Sequence, residues 1–456
     1  MRTAILGGGA LGLTLALRLA QQGESVVVME KEPVAGGLAA GFPVGDASLE
    51  KFYHHLFRSD KAIIALLNEL GLGDKLIWRA PKTSSLVAGK AYAFSPLEIL
   101  LHLTPLPFVD RVRLGAVGAY LKLRRSHVPF ERVTAAEWMS RWMGKRGYEV
   151  VWQPILESKF GEYYPEISMA WMWSRLHCRS FSLGYLRGGF QQLYDALVRE
   201  IQKLGGEVRL GCEVQSARLV GSGGWTVASK PALGSAARAT IGSESAETRF
   251  PQAALPEGTE AQEEAYERVI STLPTRLTFR LIPDLPQEWR ERYDWGLAYG
   301  AHCLILALNH SLSDVYWLQF TDRGFAFLAA VEHTNLMPKE DYGGRVLLYL
   351  GNYLPMTHPL FKQSKEEVLE SYLPHLKRIN PRFSADWVTD AWMFAAPFAQ
   401  PIVTREFPQH IPPHQTPLPN LWLANMFQVY PQDRGQNYSV AMAERLVKQI
   451  MRSPGV

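Results

Sequence analysis

A glycine-rich turn near the start of the chain constrains the fold more than any other feature. Residues 7–12 read Gly-Gly-Gly-Ala-Leu-Gly, after an apolar run at 3–6 and before a helical pattern at 11–22. A second apolar run at 25–29 follows and ends at Glu30. A strand, a glycine turn, a helix and a second strand form the unit that holds the pyrophosphate of a dinucleotide at the helix N-terminus.

Each glycine of the turn has a predicted task. Gly7 allows the tight turn, Gly9 lets the backbone approach a pyrophosphate, and Gly12 lets the helix pack against the strand. Glu30 has the spacing of a carboxylate that binds ribose hydroxyls, and its charge would repel a 2′-phosphate. The segment therefore predicts a bound dinucleotide, and the alternative is a plain glycine-rich turn.

Composition narrows the remaining function classes. The formal charge of +4 over 456 residues is small, so nucleic acid is not an expected partner. The three cysteines, Cys178, Cys212 and Cys303, are far apart and odd in number, which favours a reducing compartment and excludes a zinc-ligand spacing. We therefore expect a cytoplasmic protein without a metal site.

One apolar segment raises the question of a membrane. Residues 94–109 form the longest apolar stretch after the glycine turn, but Glu98, His102, Pro105 and Pro107 interrupt it, so it does not predict a membrane-spanning helix. Basic residues follow it, at Arg111, Arg113, Lys122, Arg124 and Arg125. Two interpretations stay open, a core-packed helix pair with a solvated basic face or a peripheral contact with a membrane surface.

The order of patterns predicts an α/β fold built from separated pieces. Residues 230–264 are rich in small and polar residues and lie between strand patterns, so we expect a mobile insert within one domain. A strand at 421–424 and a helix at 437–451 repeat the strand–loop–helix order of the N-terminal unit. The predicted Rossmann-type nucleotide-binding domain comprises 1–85, 187–274 and 397–456, and a second α+β substrate domain comprises 86–186 and 275–396. The second domain is rich in aromatic residues, and its tryptophans at 138, 142, 171 and 173 are expected in its core.

These motifs resemble the superfamily of FAD-dependent amine oxidases, protoporphyrinogen oxidases and phytoene desaturases, to which UDP-galactopyranose mutase is related. The resemblance rests on the glycine turn, Glu30, the pair Gly36-Gly37, the run at 269–274, and the C-terminal strand and helix. It implies noncovalent FAD and an oxidase, dehydrogenase or desaturase that transfers hydride between flavin and a small organic substrate. The alternative is a non-redox flavoenzyme similar to UDP-galactopyranose mutase.

The resemblance also implies which residues contact FAD. They are Gly7, Gly9, Ala10, Leu11, Gly12, Glu30, Lys31, Gly36, Gly37, Leu38, Val214, Asn425, Gly435, Gln436, Asn437 and Tyr438. Among them, the N-terminal amides of the C-terminal helix would face the flavin pyrimidine, because a helix N-terminus stabilises the negative charge of the reduced ring. Leu38 stands where oxidases and desaturases of this group usually carry an arginine. The resemblance therefore does not identify the substrate.

Two adjacent histidines are candidates for the chemistry. The segment 51–57 follows the second glycine pair and resembles in position and histidine content the segment of the mutase near flavin and sugar. Imidazole exchanges protons near neutral pH. Side chains alternate along an extended segment, so we expect only one of His54 and His55 to face the ring. The alternative is that both are hydrogen-bonded boundary residues.

Two further residues complete the candidate site. In flavin amine oxidases a strand supplies a lysine that contacts the flavin through water, and the matching position here is His302. The alternative for His302 is a core histidine. Arg434 follows Asp433 in the C-terminal loop, and the two either brace this loop or place Arg434 to bind an anionic substrate.

Overall fold

The computed structural model describes residues 1–93, 95–232 and 261–452. Most of the predicted insert, residues 233–260, lies outside the described residues. The flanks of the predicted insert are strands and not part of a loop, because residues up to Pro231 and from Gln262 onward pair in one antiparallel sheet.

A parallel five-stranded sheet forms the centre of the nucleotide-binding region. With strands and helices numbered in chain order, its spatial order is β10 (Glu207–Leu210), β2 (Ser25–Glu30), β1 (Arg2–Leu6), β14 (Arg268–Ser271) and β20 (Leu421–Leu423). All four pairings are parallel. Widely separated parts of the chain therefore build one sheet, which confirms the predicted α/β fold with a Rossmann-type sheet made from discontinuous segments.

Successive side chains of β1 point to opposite faces of this sheet, and each face is covered by its own layer. Ile5 points to a helical layer made of α1 (Ala10–Gln21), α9 (Gln191–Lys203) and α13 (Gln436–Arg452). Its neighbours Ala4 and Leu6 point to the opposite face. An antiparallel sheet of β11 (Cys212–Val220), β12 (Gly224–Pro231) and β13 (Gln262–Tyr266) covers that face. Both faces are buried, as expected of an apolar parallel strand.

A second, mixed sheet of seven strands lies beside the first. Its order is β19 (Val388–Pro401), β15 (Ala298–Leu308), β18 (Val346–Leu354), β17 (Ala329–Glu332), β16 (Trp317–Phe320), β7 (Thr83–Val87) and β8 (Lys90–Ala93). The predicted domain boundaries at 85/86 and 396/397 fall inside β7 and β19. The division into two domains stays a prediction, but β7 and β19 each continue across a predicted boundary.

Two small sheets and ten further α-helices accompany these two large sheets, together with short 3₁₀ and π-helical turns. The sheets are β3 (Gly41–Val44) with β4 (Ala47–Glu50), and β5 (Leu56–Phe57) with β9 (Leu183–Leu186) and β6 (Leu76–Arg79). The helices are α2 (Lys61–Glu69), α3 (Pro96–His102), α4 (Phe108–Leu123), α5 (Ala135–Met143), α6 (Lys145–Gly147), α7 (Gln153–Phe160), α8 (Met169–Cys178), α10 (Thr275–Leu281), α11 (Gln287–Tyr293) and α12 (Lys365–Ile379). Of the four tryptophans expected in the core, Trp171 and Trp173 are buried, whereas Trp142 is exposed.

Helices α3 and α4 form the helix pair predicted from the apolar segment. One side is core-packed, with Leu103, Leu106, Leu114 and Leu121 buried. The other side exposes apolar side chains, at Leu97, Leu101, Phe108, Val109, Val112 and Leu123. One side is thus core-packed as predicted, and the choice between a solvated outer face and a membrane contact stays open. None of the described helices is both long enough and apolar enough to span a bilayer.

Candidate cofactor and substrate site

A continuous cavity of about 2720 Å³ begins at the carboxyl edge of the parallel sheet. The ends of β1, β2 and β14 open into it, and it extends past residues 51–57 to α7, α8 and the loop before α13. Ligands of open α/β sheets bind at this edge. The volume exceeds the roughly 300–1,000 Å³ of an ordinary small-molecule pocket, so it fits a large cofactor together with a substrate.

The glycine turn forms one wall of the cavity. Glycine is needed at positions 9 and 12 of this turn for two different reasons. A Cβ at Gly12 would overlap the carbonyl oxygen of Gly7, so Gly12 serves the packing of α1 against β1. Gly12 is not among the residues that line the cavity, and its contact with the cofactor stays a prediction. Gly9 does line it, with φ −78° and with Gly37 Cα, at 4.0 Å, as the nearest atom to an added Cβ. Protein packing therefore does not require glycine at position 9, whereas a closely approaching pyrophosphate does.

Glu30 lies at the end of β2 and also lines the cavity. Its Oε2 accepts a hydrogen bond from the Gly8 N–H at 2.7 Å, and its Oε1 accepts one from the Glu32 N–H at 2.9 Å. Burial raises the pKa of Glu30, and the two backbone donors oppose that shift. The carboxylate is thus held in place with lone pairs left for ribose hydroxyls. A Cβ at Gly8 would lie 2.8 Å from that of Glu30, a role for this glycine that the fingerprint alone did not reveal.

The other residues expected around the cofactor form three groups along the cavity wall. Beside the glycine turn lie Gly7, Ala10, Leu11, Gly36, Gly37 and Leu38; near Glu30 lie Lys31 and Val214; and in the C-terminal segment lie Asn425, Gly435, Gln436, Asn437 and Tyr438. The two glycine turns touch, because the Gly36 N–H donates to the Gly8 carbonyl at 2.9 Å. Positive φ angles of 123° and 58° at Gly36 and Gly37 explain the residue type there.

Side chains at the start of α13 are bound within the protein. Gln436 Oε1 accepts a hydrogen bond from the Tyr194 hydroxyl at 2.5 Å. Asn437 Oδ1 accepts the backbone N–H groups of Ala62 and Ile63, at the N-terminus of α2. The expected contact with a flavin pyrimidine therefore falls to backbone N–H groups of α13, as a helix N-terminus provides.

Both candidate histidines line the cavity. Residues 51–55 are not a strand, and that only one of the two histidines faces the flavin stays a prediction. The His54 Nδ1 lies 2.6 Å from the Phe52 carbonyl oxygen, and burial lowers the pKa of His54 to about 4. His55 Nδ1 is 3.1 Å from the Tyr316 hydroxyl, and burial lowers the pKa of His55 to about 3.

Buried Glu50 holds the start of this histidine segment. Its carboxylate accepts hydrogen bonds from the Phe190 N–H at 2.6 Å and the Tyr185 hydroxyl at 2.7 Å. The Tyr349 hydroxyl of the seven-stranded sheet donates to the Glu50 backbone carbonyl at 2.8 Å. Three elements thus fix the residue just before Lys51, and this anchoring positions the segment between the two large sheets.

His302 lies away from the cavity. Ala301 lines the cavity, and the next side chain of β15 points to the opposite face of the sheet. There the His302 ring packs against Phe361, with centroids 5.7 Å apart, and burial lowers the pKa of His302 to about 4. Neither ring nitrogen has a hydrogen-bond partner among the residues that the structure describes. The structure therefore favours the core-histidine alternative for His302, and its contact with flavin stays a prediction.

A group of positive side chains lines the cavity beside the histidine segment. This cationic cluster consists of Lys159, Arg175, Arg179 and Arg434. Only Arg434 is predicted from the sequence. The other three lie on α7, on α8 and just after α8, and no local motif marks them. The four-residue spacing of Arg175 and Arg179 on a helical pattern is the one available signal, and it does not link them to Arg434.

Asp433 is the carboxylate at the centre of the cationic cluster. It lies 3.5 Å from the Lys159 ammonium and 3.4 Å from the Arg434 guanidinium, and it also pairs with Arg175. Burial by itself would raise the pKa of Asp433, but these three charges lower it below its ordinary value. Arg434 also donates to Gln400 Oε1 at 2.5 Å. Asp433 and Arg434 do pair, so bracing of the loop and a place in the cavity wall coexist.

Comparison with known proteins extends these observations. A stretch of 81 residues is 35% identical to 15-cis-phytoene desaturase of Synechococcus elongatus, and it spans 18% of this chain and 17% of the desaturase. The structure is similar to reduced UDP-galactopyranose mutase, with a TM-score of 0.70 and 13% identity over 99% of this chain and 95% of the mutase. It is similar to putrescine oxidase bound to putrescine, with a TM-score of 0.68 and 16% identity over 99% and 100% of the two chains. These two likenesses establish the fold alone.

The family itself follows from a match over most of the sequence. Residues 12–431 match the model of the flavin containing amine oxidoreductases. This match confirms the resemblance inferred from the glycine turn and Glu30, and with it FAD as the cofactor. The protein belongs to the family of flavin containing amine oxidoreductases.

Proposed function

We propose that the protein is an FAD-dependent oxidoreductase that transfers hydride between a small organic substrate and flavin. The observation that carries this proposal is the continuity of the cavity from the Gly9 turn to the histidine segment and the cationic cluster. FAD supplies the chemistry when bound, since it takes two electrons and a proton from a substrate C–H bond and passes the electrons to a separate acceptor.

The protein's own part is to hold the cofactor noncovalently and to handle protons. The glycine turn, Glu30 and the first N–H groups of α13 are the groups that support binding. His54 donates its Nδ1–H to the Phe52 carbonyl, which leaves Nε2 as a proton acceptor. We propose that His54 takes the proton that leaves the substrate heteroatom, whereas His55 is held by Tyr316 in a structural role.

Anaerobic mixing of the purified yellow protein with small amines, alcohols and carboxylates tests this function. We expect one class to bleach the flavin and an added electron acceptor to restore it. If no class bleaches the flavin, and the dithionite-reduced protein instead isomerises a sugar nucleotide, the non-redox alternative replaces the proposal.

The two glycines of the turn give a matched prediction on cofactor binding. Gly9→Val should yield folded protein that loses FAD, because the new side chain takes the space of the pyrophosphate and little else. Gly12→Val should lower the yield of folded protein, because its Cβ overlaps the Gly7 carbonyl. Circular dichroism and the flavin released by heat measure the two effects. Full flavin in Gly9→Val would contradict the assigned role of Gly9.

The histidines give a second prediction. His54→Gln should keep FAD but slow flavin reduction by the bleaching substrate about a hundredfold, the usual scale for losing a general base. His55→Gln should change the rate less than about fivefold and lower the midpoint of thermal unfolding, since its contact with Tyr316 is structural. Stopped-flow absorbance measures the rates. Equal rates in the native protein and His54→Gln would remove His54 from the mechanism.

We also propose that the protein works in the cytoplasm and contacts an anionic membrane surface through α3 and α4. The free thiols of Cys178 and Cys212 line the cavity, and a reducing compartment keeps such thiols free. Phe108 and Val109 are 61% and 74% exposed at the start of α4. Residues 96–125 carry five basic and two acidic side chains, a charge balance complementary to anionic lipid.

Vesicle sedimentation tests the membrane contact. The native protein should pellet with vesicles that contain phosphatidylglycerol, and a Phe108→Asp/Val109→Asp variant should bind at least about tenfold more weakly, because each buried side chain contributes about 1.5–3 kcal/mol. Val220→Asp, which changes an exposed residue of β11, is the control and should bind like the native protein. Native protein that stays in the supernatant would refute the contact.

A further inference from the structure

We propose that the cationic cluster binds the anionic group of the substrate, a carboxylate or a phosphate, so that the substrate is a small organic anion and not an amine cation. This inference rests on the proposed function and names the substrate class of the same cavity. It starts from an imbalance of charge, since four basic side chains face the cavity around one carboxylate, that of Asp433.

Asp433 already has its partners. Its two oxygens are shared by Lys159, Arg175 and Arg434, and the Trp171 Nε1–H donates to it at 3.4 Å. Among the residues that the structure describes, no carboxylate lies within ion-pair distance of Arg179. Arg179 is exposed at the cavity wall, and the surrounding protein together with the charge of Arg175 lowers the pKa of Arg179 to about 10. A guanidinium that has no carboxylate partner binds an anion favourably. Its planar fork also matches the geometry of a carboxylate or phosphate.

The cluster lies at the reacting end of the cavity. The charges of Arg179 and Arg175 act on His55, and that of Arg434 acts on His54. An anion held by the cluster is therefore close to the histidine segment. Its negative charge would also raise the pKa of His54 toward neutrality, because an opposite charge favours the protonated imidazole. Substrate binding would then improve the base that the reaction needs.

The walls of the same region favour an anion joined to an aromatic or other flat apolar body. The Arg434 guanidinium lies 4.8 Å from the centre of the Tyr353 ring, and the Arg175 guanidinium lies 5.1 Å from that of Trp171. Both rings line the cavity. An amine would be repelled here, since like charges in a partly desolvated site repel strongly.

Ligand titrations test the substrate class without knowledge of the substrate. The four probes are benzoate, phenyl phosphate, benzylamine and benzyl alcohol, which share a phenyl ring and differ in charge. Calorimetry of the flavin-loaded protein should give at least about tenfold tighter binding of one anion than of the amine or the alcohol. Tighter benzoate binding assigns a carboxylate substrate, and tighter phenyl phosphate binding assigns a phosphate. Amine or alcohol binding equal to that of both anions, or no binding of either anion, overturns the proposal.

Variants of Arg179 test the residue itself. Arg179→Gln should weaken anion binding at least about tenfold with little effect on benzyl alcohol, and Arg179→Lys should recover part of the loss. Arg382→Gln removes an exposed arginine away from the cavity and should bind like the native protein. If Arg179→Gln does not fold, the comparison of Arg179→Lys with Arg175→Gln decides the question. Unchanged anion binding in the folded variants refutes the role of the cluster.

The readouts separate failure of this inference from failure of the proposed function. Calorimetry detects anion binding whether or not the flavin is reducible, and flavin content is measured in every variant. Anion binding without any reducing substrate would leave the cluster assigned and the oxidoreductase proposal rejected. Flavin reduction by an amine, with no anion binding, would support the oxidoreductase proposal and reject the role of the cluster.

Discussion

The close approach of α1 to the end of β1 at Gly12 is the contact on which the rest of the site depends. Since no side chain fits between Gly12 and the Gly7 carbonyl, the helix begins directly at the sheet edge. Ala10 and Leu11 of its first turn then line the cavity, and the glycine turn can meet both Glu30 and the Gly36-Gly37 turn. One steric requirement thus sets the position of three segments that surround the cofactor.

The cavity divides into two halves that use different chemistry. At the half that is expected to hold the cofactor, the wall offers the backbone of the glycine turn and the carboxylate of Glu30. At the other half, charged and aromatic side chains such as Lys159 and Trp171 dominate the wall. Backbone groups suit a cofactor shared by a whole family, because they do not depend on residue type. Side chains, by contrast, can change with the substrate.

The sequence predicted the parts of the site that lie close together along the chain. Residues 7–30 form one unit whose geometry follows from glycine spacing and hydrophobic pattern, so the fold class and the cofactor could be inferred. The cationic cluster could not, because its members come from distant segments whose meeting depends on packing. His302 shows a related limit, since alternation along β15 is evident but the face that meets the cavity is set by the neighbouring layer.

The side chains of Gln436 and Asn437 link cofactor binding to helix packing. Both residues line the cavity, while their amide oxygens hold Tyr194 and the first turn of α2. An evolutionary change at position 437 therefore removes the N-terminal cap of another helix, even if the contact with the cofactor survives. Relatives that carry a different residue at position 437 need a compensating N-cap side chain on α2 itself. Position 437 and the N-cap position of α2 are therefore expected to vary together.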